Sequence, residues 1–315
     1  MSPADSGTVL PSATLWAHGL GACALVTPTS SSAAYPLSGP VFPLLDALFQ
    51  WVLRLGHDVP FPAHLGARHC AQAYNGAFTW ATKGPLAVKE LDLGFVTWPV
   101  LALGALSLLR TSNRARTRDE WWLLLALAVS PGALFAFMDY YHPEDLLALG
   151  LALACAAALR REHFVVGGTL GALAFASQQN VVLILMVCTV LLPHGRAWWR
   201  VGLGGTLTLV ALVVPLTLWS GTHVFRDTLI GTGLTDAPAY GTWMAQLGLS
   251  GVPALWISRF GPLLTSLGLV VWLYRRRPLS LLGLIASFEV VFSLRLVFEE
   301  NIWGYYEREH SCAGR

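Results

Sequence analysis

Three carboxylates and a histidine fall within the seven-residue stretch Asp139-Tyr140-Tyr141-His142-Pro143-Glu144-Asp145. A carboxylate held beside a histidine can take a proton from a hydroxyl group or bind a sugar hydroxyl. Asp139, His142 and Glu144 are therefore candidate catalytic residues. The same stretch also makes an ordinary helix start, because proline suits the first helical position and acids suit the first turn. Both uses fit it.

A second group lies near the C-terminal end of the chain. Glu289 stands near the centre of the last apolar run and Arg295 near its end, followed by Glu299, Glu300, Asn301, Trp303, Tyr305 and Tyr306. An ionisable side chain in the middle of an apolar helix is costly in a bilayer and calls for a partner. Arg259, in the preceding run, is expected at a depth that suits Glu289, and Arg295 and Glu299 are four residues apart on one helix face. These charges read equally as structural ion pairs or as a binding site. A guanidinium at headgroup level is a suitable bidentate partner for a lipid phosphate.

The segment 220–252, with Asp227, Asp236, Tyr240 and Trp243, is long for a connection and has the length of a lid or binding loop. The sequence has no P-loop, HExxH or GxSxG pattern, and Gly202-Leu203-Gly204 lies inside an apolar run, which argues against soluble nucleotide or protease chemistry. The five cysteines show no metal-ligand spacing; Cys155 and Cys188 sit in apolar runs, and Cys23 and Cys70 are free to pair outside a cell. No metal site is expected.

The elements that must position these residues are apolar helices. Hydrophobic residues make up 55% of the 315-residue chain and charged residues only 12%, about half the share of a soluble domain. A net charge of +2, spread over loop ends, argues against nucleic-acid binding. Spans of roughly 20 residues are needed to cross hydrocarbon. The runs predict an all-α polytopic bundle with eight spans at 91–109, 121–138, 143–160, 163–177, 181–193, 200–219, 253–274 and 279–298. A ninth, weak span at 8–27 would precede them.

The arginines set the orientation. The gaps 110–120, 160–163, 193–200 and 275–277 hold 11 arginines, whereas the alternate gaps 139–145, 178–180, 220–252 and 299–306 hold only Arg226. Cytoplasmic loops are enriched in lysine and arginine, so the first set is expected inside and the second outside. Residues 163–193 are read as two short helices with an outer tip at Gln178-Gln179-Asn180, because a single long helix would place Arg275, Arg276 and Arg277 outside. Gly167, Gly168 and Gly171 would allow close helix contact there.

The first 90 residues form a separate N-terminal segment. It has no basic leader typical of a signal peptide. In 41–56, Asp46, Gln50 and Arg54 recur every four residues on an otherwise apolar helix, which suits a helix lying in the membrane interface. The bundle follows at 91–306, with a short tail at 307–315.

The run His142 to Leu147, the small-residue helix ending in Arg160-Arg161 and the pattern Gly-x-x-x-Gly-x-x-Ala-Phe-Ala from Gly167 to Ala176 together resemble polytopic GT-C-type glycosyltransferases, especially the actinobacterial polyprenyl-phosphate-mannose-dependent mannosyltransferase group. Arg295-Leu-Val-Phe-Glu299 followed by Gly304-Tyr305-Tyr306 is similar to a late stretch of that group. The resemblance covers roughly 91–306. It implies a bacterial plasma-membrane enzyme that moves a sugar from a polyprenyl-phosphate carrier to a glycolipid acceptor on the outer face, with no further cofactor. It assigns the acid role to Asp139 or Glu144 and carrier binding to Arg295; the charges Arg259, Glu289 and Glu299, and Gln178, are further binding candidates.

The sequence also departs from the family. Members place an acid in the first outer loop, but residues 28–45 contain none, leaving Asp46 and Asp58 as the nearest; Asp58 is the candidate, because Asp46 belongs to the helix stripe. Gln178 stands where many members have lysine. The chain ends soon after its last span, so truncation or a frame change at its ends is expected. A transporter or flippase of lipid-linked sugars, and a non-catalytic membrane subunit or inactive fragment, are the alternatives.

Overall fold

The computed structural model describes residues 41, 44, 45 and 48, and the segments 86–112, 116–130, 143–193, 195–220, 243–249 and 251–298. The protein is all-α. Among the described residues, eight helices have seven residues or more: α1 (Leu86–Leu109), α2 (Thr117–Ala128), α3 (Pro143–Arg160), α4 (Phe164–Ser177), α5 (Val182–Cys188), α6 (Arg196–Ser220), α8 (Gly251–Arg275) and α9 (Leu281–Val297). A single turn, α7 (Trp243–Gln246), precedes α8, and 3-10 turns at Gln179–Val181 and Thr189–Leu191 flank α5. Two of these helices, at Arg196–Pro215 and Trp256–Arg275, are long and apolar enough to cross a membrane.

Most helices lie where the apolar runs place them. The clearest difference is α2, expected over 121–138 but ending at Ala128. Ser130 precedes Pro131, and a residue before proline is pushed out of the helical region. The break at Gln178 is present: its backbone is extended, with φ −149° and ψ 118°.

The chain divides into two compact units, one of residues 1–181 and 193–231, the other of 182–192 and 232–315. In the first, α1 and α3 run parallel, joined by Leu101 and Leu146 and, farther along, by a hydrogen bond from Arg160 Nε to Thr111 Oγ at 2.9 Å. The Arg161 guanidinium donates to the Ser107 carbonyl at 3.2 Å, covering a carbonyl that the end of α1 leaves open. A tight corner then reverses the chain into α4. Glu162 takes a left-handed conformation (φ 62°) there, and the N–H groups of Glu162 and His163 bond the carbonyls of Leu159 and Ala158 at 3.1 and 2.9 Å. This is the Schellman pattern of a helix C-terminus.

Glycines decide how closely these helices approach. A Cβ on Gly104 would overlap the Gly150 carbonyl, one on Gly168 the Val201 carbonyl, and one on Gly204 the Val165 carbonyl. The backbones of α1 and α3, and of α4 and α6, are thus in direct contact. Alanines fill much of the remaining interior, among them Ala148, Ala152, Ala156, Ala172 and Ala174. Leucines such as Leu101, Leu146 and Leu159 are also buried, while many large apolar side chains point outward, including Trp121, Trp122, Trp199, Leu203, Leu207 and Val210.

In the second unit, α8 and α9 form an antiparallel hairpin against which α5 packs. The Ser280 hydroxyl caps α9 by accepting from Gly283 N–H at 3.0 Å. At the far end, Phe298 lies over Gly261, and the Trp243 indole N–H donates to the Val297 carbonyl at 2.7 Å.

Two alanine substitutions on facing helices are expected to act in opposite directions. Gly168→Ala forces α4 off α6 and should cost about 1–3 kcal/mol, whereas Gly202→Ala, which meets open space, should gain up to about 1 kcal/mol in helix propensity. Thermal unfolding of the purified variants in detergent measures both.

Candidate functional site

The first unit has two chemically different ends. Arg110, at the end of α1, holds Glu120 in the first turn of α2 through paired bonds of 2.8 and 2.9 Å. Arg160 and Arg161 close α3, and the packing of Val201 on Gly168 brings the Arg200 end of α6 to the α3–α4 corner. Arg116, Arg118 and the exposed Trp121, Trp122, Trp198 and Trp199 belong to the same end, Trp199 being 74% exposed. Within this unit, the arginine-rich gaps of the sequence therefore come together at one end.

The other end lies about 27 Å away, the length of the 18-residue α3 at its usual rise. Pro143 opens α3 there, followed by Glu144 and Asp145. Glu144 is only 3% exposed, next to a helix N-terminus that favours a carboxylate. Asp145 is exposed, and Gln178 Nε2 at the end of α4 donates to its Oδ1 at 2.9 Å. Of the two acids, the one that reaches solvent is Asp145. The sequence assigned the acid role to Asp139 or Glu144, whereas the acid that the amide of Gln178, itself a binding candidate, bonds is Asp145. Val41 and Leu45, in the expected interfacial helix, pack on Leu147 near this end. The stripe residues Asp46, Gln50 and Arg54 lie outside the described residues, as do the candidates Asp58, Asp139, His142 and Glu299.

The second unit is polarised too. At the α8–α9 turn, the Arg276 guanidinium lies 5.7 Å from the Trp272 ring and that of Arg277 lies 3.7 Å from the Tyr274 ring. Arg277 also donates to the Thr189 carbonyl at 3.4 Å. From that turn, at ~1.5 Å per residue, Arg259 and Arg295 are about 24 and 21 Å away and Glu289 about 12 Å.

Arg259 is thus level with Arg295 and not with Glu289, which corrects the expected pairing by depth. Among the described residues no ion pair joins Arg259 to Glu289. The difference has a simple source. Depth in an antiparallel hairpin is counted from the shared turn, and Glu289 lies much nearer than Arg259 to the turn between Arg275 and Leu281.

Among the described residues no three His, Cys, Asp or Glu side chains gather to hold a metal ion. Cys155 and Cys188 are buried free thiols. No family model, curated protein or solved structure matches the chain.

The Arg110–Glu120 bond holds the Glu120 carboxyl below its ordinary value and raises Arg110, in both cases chiefly through the side-chain hydrogen bond. A lowered carboxylate contributes its contact above the unfolded value and loses it as pH falls through the folded value. A spin label at Ser112→Cys is therefore expected to stay restrained through the ordinary carboxylate range and loosen only below it. With Glu120→Gln it should be loose throughout, which electron paramagnetic resonance measures directly.

Proposed function

We propose that this chain is a polytopic membrane glycosyltransferase of the GT-C type, moving a sugar from a polyprenyl-phosphate carrier to a glycolipid or other envelope acceptor. It lies in the bacterial plasma membrane, with the eight apolar runs of the sequence as spans and the arginine-rich ends in the cytoplasm. Support for the membrane comes from glycine and alanine at the helix contacts and from the many tryptophan, leucine and valine side chains that face outward. Large contiguous apolar faces are rare on soluble proteins, and small residues at helix contacts are typical in lipid. Clustered arginines beside exposed tryptophans support the orientation.

The observation that carries the enzymatic reading is the Gln178–Asp145 bond at the end opposite the arginines. It gives an exposed carboxylate a fixed direction on the outer face, where a lipid-linked donor and its acceptor would meet. Asp145 takes the role of general base toward the acceptor hydroxyl, with Gln178 as its positioning residue. Glu144 beneath it sets the first turn of α3. In the second unit, Arg295 and Arg259, level with each other far from the Arg275–Arg277 turn, suit the carrier phosphate. The segment 41–56, which reaches α3 through Val41 and Leu45, serves as the outer interfacial helix.

Sugar transfer from a radiolabelled polyprenyl-phosphate sugar in isolated membranes tests this. Asp145→Asn keeps an acceptor for Gln178, so the protein should accumulate normally while transfer falls by roughly 10²–10⁴-fold. Arg295→Ala should raise the donor concentration needed for half-maximal rate. Unchanged transfer by Asp145→Asn would remove this acid from the reaction.

A further inference from the structure

Within the long 220–252 connection, α7 is a built turn. Met244 is fully buried, and the Leu247 N–H donates to the Trp243 carbonyl at 3.1 Å. Beyond a left-handed Gly248 (φ 69°), the Leu249 N–H returns to the Met244 carbonyl at 2.9 Å. These bonds give Trp243, at the start of the turn, a fixed place. Its indole N–H reaches the Val297 carbonyl at 2.7 Å, and its ring meets Phe298 edge-on with the centroids 6.3 Å apart. The last carbonyls of a helix find no partner within it. In α9 the Phe298 N–H is shared by the Leu294 and Arg295 carbonyls at 3.2 and 3.1 Å, and Trp243 closes Val297.

This end of the hairpin carries both arginines given to the carrier phosphate. Arg295 follows Val291 by four residues and so continues the packed side of α9, which buries Leu284, Phe288 and Val291. Arg259 precedes the buried Pro262 by three residues and the buried Ser266 by seven, which places it on the packed side of α8. Both arginines are half-buried. Phe298 joins the two helices here, because its ring fills the space that a Cβ on Gly261 would need. Gly261 is about 21 Å from the α8–α9 turn, level with Arg295 and two residues from Arg259. A continuous set of contacts thus runs from Trp243 through Val297 and Phe298 to the backbone of Arg295 and, across Gly261, to that of Arg259.

We infer that Trp243 is a positioning residue of the carrier site: it holds the last turn of α9 on Gly261, so that the Arg295 guanidinium meets the same phosphate as Arg259. The indole acts through Arg295 and does not itself bind the carrier. The inference rests on the assignment of these arginines to the carrier phosphate.

Binding of radiolabelled undecaprenyl phosphate to the full chain in phosphatidylcholine nanodiscs tests it without requiring turnover. Arg295→Ala is expected to weaken binding by about tenfold or more, as for a hydrogen-bonded charge, and Trp243→Phe, which keeps a ring and loses the N–H, by about three- to tenfold. In the Arg295→Ala background the same Trp243→Phe change should cost less than about twofold, because the group it positions is gone. A loss of equal size in both backgrounds, as damage to folding would give, overturns the inference, and so does full binding by Trp243→Phe. Unchanged binding by Arg295→Ala overturns the carrier reading of these arginines and the inference with it, whereas the other two adverse results leave that reading standing.

Discussion

Helix backbones touch only where no side chain stands between them, and in the first unit that condition is met at Gly104 and Gly150 and again at Gly168 and Gly204. The other features of this unit follow from those contacts. With α1 on α3 and α4 on α6, the contacts are lined by glycine and alanine together with a few leucines such as Leu101 and Leu146, and many other bulky apolar residues lie on the outside. In water such an arrangement forfeits the hydrophobic driving force. In lipid it loses nothing, because hydrocarbon solvates leucine and tryptophan as well as another helix does, and close packing of small residues supplies the association.

The same contacts order the charges. Bringing the end of α1, the start of α2, the α3–α4 corner and the start of α6 together gathers Arg110, Arg116, Arg118, Arg160, Arg161 and Arg200 at one level. The other level is left to Glu144, Asp145 and Gln178. The second unit has Arg275 to Arg277 at the α8–α9 turn, and Trp243 and Phe298, with Arg259 and Arg295 close to their level, at the far end. In the first unit the basic end and the acidic end are separated by about the thickness of a bilayer core.

Much of the fold was legible because apolar runs and arginine gaps are local signals. The helix at 143–160 needed no adjustment, and the break at Gln178 followed from three polar residues in an apolar stretch. What was hidden depends on register between helices. Gly167, Gly168 and Gly171 marked α4 as a contact helix, but that Gly168 meets Val201 while Gly104 meets Gly150 is a property of pairs. Burial distinguishes Glu144 from Asp145, two adjacent acids of similar chemistry, and the Gln178 amide bonds the exposed one. Depth was misread for Arg259 and Glu289 because it is set by distance from a shared turn.

The central claim is that the two ends of the first unit face opposite sides of a membrane. In a cysteine-free background, Ser112→Cys and Asp145→Cys can be labelled with a membrane-impermeant maleimide in intact cells and in inside-out vesicles. The account predicts that Asp145→Cys reacts only in cells and Ser112→Cys only in vesicles. Labelling of both from the same side would contradict it.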